Sequence, residues 1–235
     1  MRAYGYPSVT ALRRGRDAAN SAGENGPVPF TLAPRTADLT LETEVKHSRF
    51  IAALRRVENT DAAQAFVDDQ RRAYPDARHH CSAYIVGNGP SDRVERASDD
   101  GEPGGTAGIP MLQVLKARDL VDVAVVVTRY FGGIKLGAGG LVRAYSGAVA
   151  AALDAAPLVR RERRHLYTLA VGHADAGRVE AELRGRGVVV VDTAYAEAAV
   201  LTLAARDSAE LADLVAAVTS GTGTLDPAGE MWVDA

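Results

Sequence analysis

The chain has one cysteine, Cys81, in 235 residues. A single thiol excludes an internal disulfide and fits a reducing compartment. It also leaves zinc short of ligands. His79, His80 and Cys81 are consecutive, and neighbouring residues on a strand point to opposite faces, so at most His79 and Cys81 share one. With no second Cys/His pair to complete a tetrahedron, neither a metal nor a cofactor is expected. No apolar run approaches the roughly 18 residues of a membrane-spanning helix, and the N-terminus lacks the apolar core of a signal peptide. A cytoplasmic protein with no membrane partner is expected. Excess positive charge is missing too: the net charge is −3 and the pI about 6.0. That excludes a global basic field, so any nucleic-acid contact must be a local patch.

What is present is enough apolar material, 47% of the residues, for one large domain or two small ones. Residues 1–35 lack periodicity and carry Gly, Pro, Ser and Asn with a cluster of Arg13, Arg14 and Arg16, which reads as a disordered extension. From Leu39 the pattern sharpens. Leu39–Val57 reads as two strands bent near Lys46–Ser48, followed by a helix capped by Asn59 or Thr60 and ended at Tyr74–Pro75. His79–Gly87 alternates as a strand with Cys81, Ala83 and Ile85 on one face; Asn88–Ser91 is a turn, and Val94–Ser98 a short strand. A helix begins near Ile109, because Pro110 is tolerated only in a first turn. Val121–Thr128 is almost wholly Val and Ala, the composition of a central strand covered on both faces. Leu141, Tyr145, Ala148 and Ala152 recur at helical spacing.

The polar, Pro-containing run at 157–164 reads as a linker between residues 36–156 and 165–235. Its Arg160, Arg161, Arg163 and Arg164 are either solvated or a second phosphate contact. Beyond it the elements predicted are β-α-β-β-α-β, the ferredoxin-like order. The fold class is therefore α+β in two domains.

Residues 96–153 hold the chemistry. Five glycines fall within 132–140: Gly132, Gly133, Gly137, Gly139 and Gly140. Each costs backbone entropy, so the chain either turns tightly there or lets something approach the backbone. Arg129, Lys135 and Arg143 surround them, and no acidic residue interrupts Thr128–Ala144. A glycine loop entering a helix N-terminus offers free N–H groups to a phosphate, and basic side chains around it hold a nucleic-acid backbone without reading sequence. Tyr130 and Phe131 offer a stacking face. The competing structural reading pairs Arg129 with Asp99, Asp100 or Glu102, makes the glycines turns and puts Phe131 in the core. Asp99, Asp100 and Glu102 form an acidic lip that either shapes a turn or holds Mg²⁺. Gly132 and Gly137 have P-loop spacing, but Ala138–Gly139 stand where Lys and Ser/Thr are needed, and a dinucleotide fingerprint fails at Val142. No Gly-x-Ser-x-Gly elbow accompanies the serines.

Four words in the chain, KHSRFIA (Lys46–Ala52), YPDARHHCSAYIVG (Tyr74–Gly87), SDDGEPGGTAGIPML (Ser98–Leu112) and VVVTRYFGGIKLGAGGLVRAYSGA (Val125–Ala148), closely resemble the IMPACT/YigZ family. The resemblance covers essentially everything after about Leu39. It implies a first α/β domain like the second domain of a small-subunit ribosomal protein and the fourth domain of elongation factor G, followed by a ferredoxin-like domain. It also implies a link to translational control, which in eukaryotic relatives runs through a protein scaffold. The sequence is thus read as a non-enzymatic regulator that binds RNA or the ribosome through Arg129, Lys135, Arg143 and the glycines. The alternatives are a Mg²⁺-dependent enzyme or binder of a small phosphorylated ligand, and a protein-docking module.

Overall fold

The computed structural model describes residues 29–34, 38–89 and 92–235. The expected extension lies outside the described residues as far as residue 28, as do two residues of the turn expected at Asn88–Ser91.

The first sheet has five antiparallel strands in the order β2 (Leu39–Val45), β3 (Ser48–Arg56), β6 (Val123–Tyr130), β4 (His79–Val86), β5 (Val94–Ser98). The Val-rich segment is the central strand. Its two faces serve two cores because side chains alternate along a strand. Val123, Val125 and Val127 pack toward α2 (Gly108–Ala117) and α3 (Ala138–Asp154), together with Phe50, Leu54, Ile85, Met111 and Tyr145. Ala124 and Val126 pack toward α1 (Thr60–Ala73), against Ala53, Phe66 and Val67. Asn59 starts α1 by accepting the Ala62 N–H at 2.8 Å. The bend at Lys46–Ser48 is a tight hairpin in which Lys46 and His47 both take positive φ, 47° and 64°.

The second sheet runs β10 (Leu225–Asp234), β7 (Leu158–Val171), β9 (Ala199–Ala205), β8 (Val189–Tyr195). Counted within the domain, that is the 4-1-3-2 order of the ferredoxin-like fold. Helices α4 (His173–Gly185) and α5 (Ser208–Thr219) close its core through Ala176, Val179, Leu183, Leu211 and Val215.

Two sequence expectations are corrected at the junction. Part of the supposed extension, Phe30–Leu32, is a strand, β1, paired antiparallel with Leu158–Arg160. It is held because Leu32 is buried in the first core and Phe30 exchanges backbone hydrogen bonds with Asp119 and Val121, each 2.8 Å. The supposed linker 157–164 is largely the first half of β7. A polar run forms a strand here because its arginines find carboxylates. Arg161 donates to Asp234 at 2.7 Å and lies 3.7 Å from Asp122; Arg163 pairs with Glu230 at 3.3 Å and Arg164 with Glu162 at 2.9 Å.

Asp234 is the junction's main polar contact. Arg56 of the first domain grips it through both terminal nitrogens, at 2.7 and 3.0 Å, while also donating to the Leu32 carbonyl at 3.1 Å. Burial pushes the Asp234 carboxyl up, but the bonds from Arg56 and Arg161 outweigh it and hold the group below its ordinary value. A carboxyl lowered in the folded state contributes stability above its unfolded pKa, about 3.9, and loses it as pH falls through the folded value. We expect Asp234→Asn to lower stability at pH 7 by about 1–2 kcal/mol. The gap between wild type and variant should narrow as melts are taken below about pH 3.9 and close once the pH is below the lowered value of the folded state. A gap unchanged at low pH would show that the charge is irrelevant.

Candidate functional site

The acidic lip is committed to structure. Asp99 caps α2 from a distance: one carboxylate oxygen accepts the N–H groups of Ala107 (3.0 Å) and Gly108 (2.8 Å), the other that of Gly105 (2.7 Å). Burial acts to raise its carboxyl, yet those three donors prevail and keep it below the carboxylate range. Asp100 accepts from Arg71 at 2.8 Å and from the His80 backbone N–H at 2.6 Å, and its carbonyl takes the His79 Nδ1–H at 2.8 Å. Glu102 is buried, and its Oε1 accepts from Arg129 Nη1 at 2.6 Å and Tyr145 Oη at 2.7 Å. The three carboxylates are engaged in three directions. Among the described residues no group of three or more His, Cys, Asp or Glu is placed to hold a metal ion.

Arg129 is therefore not an exposed cation of a basic face. Only 8% of its side chain is exposed, and the structural pairing with Glu102 is the one adopted. Register explains its neighbours: Phe50 on β3 and His79 on β4 both stand directly opposite it. Its guanidinium lies 5.4 Å from the Phe50 ring centroid and 5.8 Å from that of Phe131. Phe131 itself is 53% exposed, contrary to the reading that placed it in the core.

The glycine loop does both jobs that glycine allows. A side chain on Gly132 would strike the His47 carbonyl carbon at 2.0 Å, so the β2–β3 hairpin sits directly on this backbone, and the Gly132 N–H donates to Ser48 Oγ at 3.1 Å. Gly137 takes φ 70° and starts α3 without a side-chain cap. Gly133 also has positive φ, while Gly139 and Gly140 lie in the first turn of α3. Lys135 and Arg143 are exposed and carry no ion partner among the described residues.

A cleft of about 310 Å³ opens between the two loops, lined by Arg78, His79, Glu102, Arg129, Phe131 and Lys135 around the start of α3. Of the residues singled out in the sequence, His79, Glu102, Arg129, Phe131, Lys135 and Gly137 meet there. Asp99, Asp100, Gly132, Gly133, Gly139, Gly140 and Arg143 are not part of its wall. Sequence reasoning missed Arg78. It lies inside the family word Tyr74–Gly87, but only the pairing of His79 with Arg129 brings residues 78 and 129 together.

Cys81 is not a nucleophile. Burial pushes its thiol up to about 12, the nearby carboxylates Glu102, Asp100 and Asp99 push the same way, and a hydrogen bond with Tyr145 only partly offsets them. Burial also drives the Tyr145 phenol well above its ordinary value, with Cys81 and Glu102 adding to the shift. His80 gives Cys81 no base, because its Nε2 contacts the Tyr74 carbonyl at 3.0 Å.

Glu102→Gln should destabilise by about 3 kcal/mol, because it leaves the buried Arg129 charge without its counter-ion; a melting temperature within a degree of wild type would refute this. Cys81 should resist iodoacetamide in the native protein at pH 8 and react fully in denaturant. Rapid native labelling would contradict the burial of the thiol.

Residues 46–153 match the Impact N-terminal domain, and residues 169–222 match a domain of unknown function (DUF1949). The chain is 44% identical over 156 residues to the IMPACT family member YvyE of Bacillus subtilis, covering 66% of this chain and 71% of the relative. It is 40% identical over 180 residues to the IMPACT family member YigZ of Escherichia coli, covering 77% and 88%. A solved crystal structure of a hypothetical protein superposes with a TM-score of 0.63 at 37% identity, covering 83% of this chain and 95% of that one. This two-domain chain belongs to the IMPACT family.

Proposed function

We propose that this protein regulates translation by binding RNA or the ribosome through the glycine-rich face of its first domain. The link to translation comes from the family. The observation that supports the binding reading is local: Arg78, Lys135 and Arg143 are exposed cations without ion partners among the described residues, grouped on and beside the uncapped start of α3. Many other arginines are held by carboxylates, as in the Arg55–Asp38–Asp69 and Arg206–Glu162–Arg164 clusters, and the exposed Arg93, Arg96, Arg160 and Arg186, which have no ion partner among the described residues, do not stand at a helix start. Cations left unpaired beside free helix N–H groups suit a phosphate backbone, and Phe131 and Ile134, both exposed, give bases an apolar surface. Arg129 serves this face from beneath, as a buried charge.

The test is co-sedimentation with ribosomes and titration of single-stranded RNA across a salt series. Wild type should bind with log affinity falling linearly in log salt. Replacing Arg78, Lys135 and Arg143 together by Ala should flatten that slope by about 0.7 for each phosphate no longer neutralised. Equal binding by the triple variant would place the interface elsewhere. Absence of binding, with a nuclease-resistant protein complex instead, would favour a docking module.

A further inference from the structure

The geometry points to one occupant for the cleft. We propose that it seats a nucleotide phosphomonoester, with the phosphate at the start of α3 and the base against Phe131. This rests on reading the face as nucleic-acid-binding, and it names the group that the face takes.

Three independent features converge. The first is the helix terminus. Helix α3 is 17 residues long and begins at Ala138 with no side-chain cap. The N–H groups of Ala138, Gly139 and Gly140 have no acceptor among the described residues; Leu141 is the first to bond back, to the Gly137 carbonyl at 2.9 Å. Uncapped N–H groups and the positive dipole end attract an anion.

The second is Arg129. It commits Nη1 to Glu102, which leaves the Nε and Nη2 edge without a partner among the described residues, and Nε is closed to water. That edge is the fork with which arginine grips a carboxylate or phosphate through two parallel bonds; since Nε is shut in, an entering anion meets Nη2 first and gains Nε only as the guanidinium shifts outward. Arg49 in this same chain uses it on Glu42, at 2.7 and 2.8 Å. An arginine that is nine-tenths buried, lines a cleft and keeps this edge unmatched is poised for an anion entering that cleft. Glu102, by binding the opposite side, orients the guanidinium.

The third is charge and size. Arg78, Arg129 and Lys135 against Glu102 leave the wall with two positive charges in excess. A phosphomonoester carries about −1.5 to −2 at neutral pH, a diester only one charge. The monoester also has three terminal oxygens, enough to meet the Ala138 N–H, Arg129 and Lys135 at once, where a diester has two. A volume of about 310 Å³ admits one nucleotide-sized group, not a continuous strand. Arg129 lies too deep for a backbone passing over the surface, so the phosphate enters as a terminus or on a free nucleotide.

The experiment compares a short single-stranded RNA bearing a 5′-phosphate with the same RNA bearing a 5′-hydroxyl, and titrates adenosine monophosphate separately. Binding to the phosphorylated end should be tighter by about tenfold, the scale of charge-assisted hydrogen bonds gained. If adenosine monophosphate binds as tightly as the phosphorylated RNA and displaces it, the seat takes free nucleotides; if it binds weakly, the seat reads RNA ends. Either result supports the seat. Lys135→Ala should erase the preference, so that the variant binds the phosphorylated and the hydroxyl RNA with equal affinity. Ala138→Pro should do the same, since proline fits the first helical position but lacks the N–H. Lys135 is exposed, so its variant keeps the test sound if the proline variant fails to fold. Equal affinity for both RNAs, with no binding of adenosine monophosphate, overturns the seat and leaves the RNA-binding reading standing. A phosphate preference without ribosome or general RNA binding does the reverse.

Discussion

Glu102 Oε1 accepts a hydrogen bond from Arg129 on the central strand and a second from Tyr145 on α3. One oxygen thereby ties the acidic loop, the middle of the sheet and the long helix to a common point. Tyr145 completes the joint on its other side, meeting Phe50 edge-on at 5.2 Å between centroids. A buried ion pair seldom adds much stability over an apolar replacement, because desolvation consumes the gain. What it supplies here is position. Arg129 is oriented by the carboxylate, the loop is anchored over the sheet, and the start of α3 is set beside both.

The same pattern runs through the acidic loop and the junction between domains. Asp99 closes the start of α2, which has no cap of its own, and Asp100 binds the entry of β4. At the junction Asp234 collects two arginines from different domains, and Asp122 holds the Gly87–Asn88 turn at 2.9 and 2.7 Å. Carboxylates hold many of the backbone N–H groups and arginines that would otherwise be stranded. The start of α3 departs from this pattern. It has N–H groups, lysine and arginine in reach, and no carboxylate to cap it.

Periodicity carried much of the fold. The valine run could only be a strand covered twice, and the spacing of Leu141, Tyr145, Ala148 and Ala152 could only be a helix with one buried face. Both follow from local geometry, which a single stretch of chain expresses by itself. The junction was not legible in this way. Phe30–Leu32 is too short for a period, and 157–164 looks like a linker because only Arg164 has a carboxylate partner, Glu162, within the run. Arg161 and Arg163 meet Asp234 and Glu230, which stand at the far end of the chain, on its last strand.

The candidate site divides along the same line. The residue types, the glycines and the proximity in sequence of Lys135 to the start of α3 belong to the sequence, because they are neighbours along the chain. Whether Arg129 faces solvent or an acid depended on which carboxylate the folded loop delivered to it. Arg78 joined the cleft only through strand pairing. Sequence alone determined the elements away from the junction, the family words and the uncapped helix start. The tertiary structure alone decided which charges cancel and which are left over, because ion pairing depends on distances across the fold that chain order does not encode.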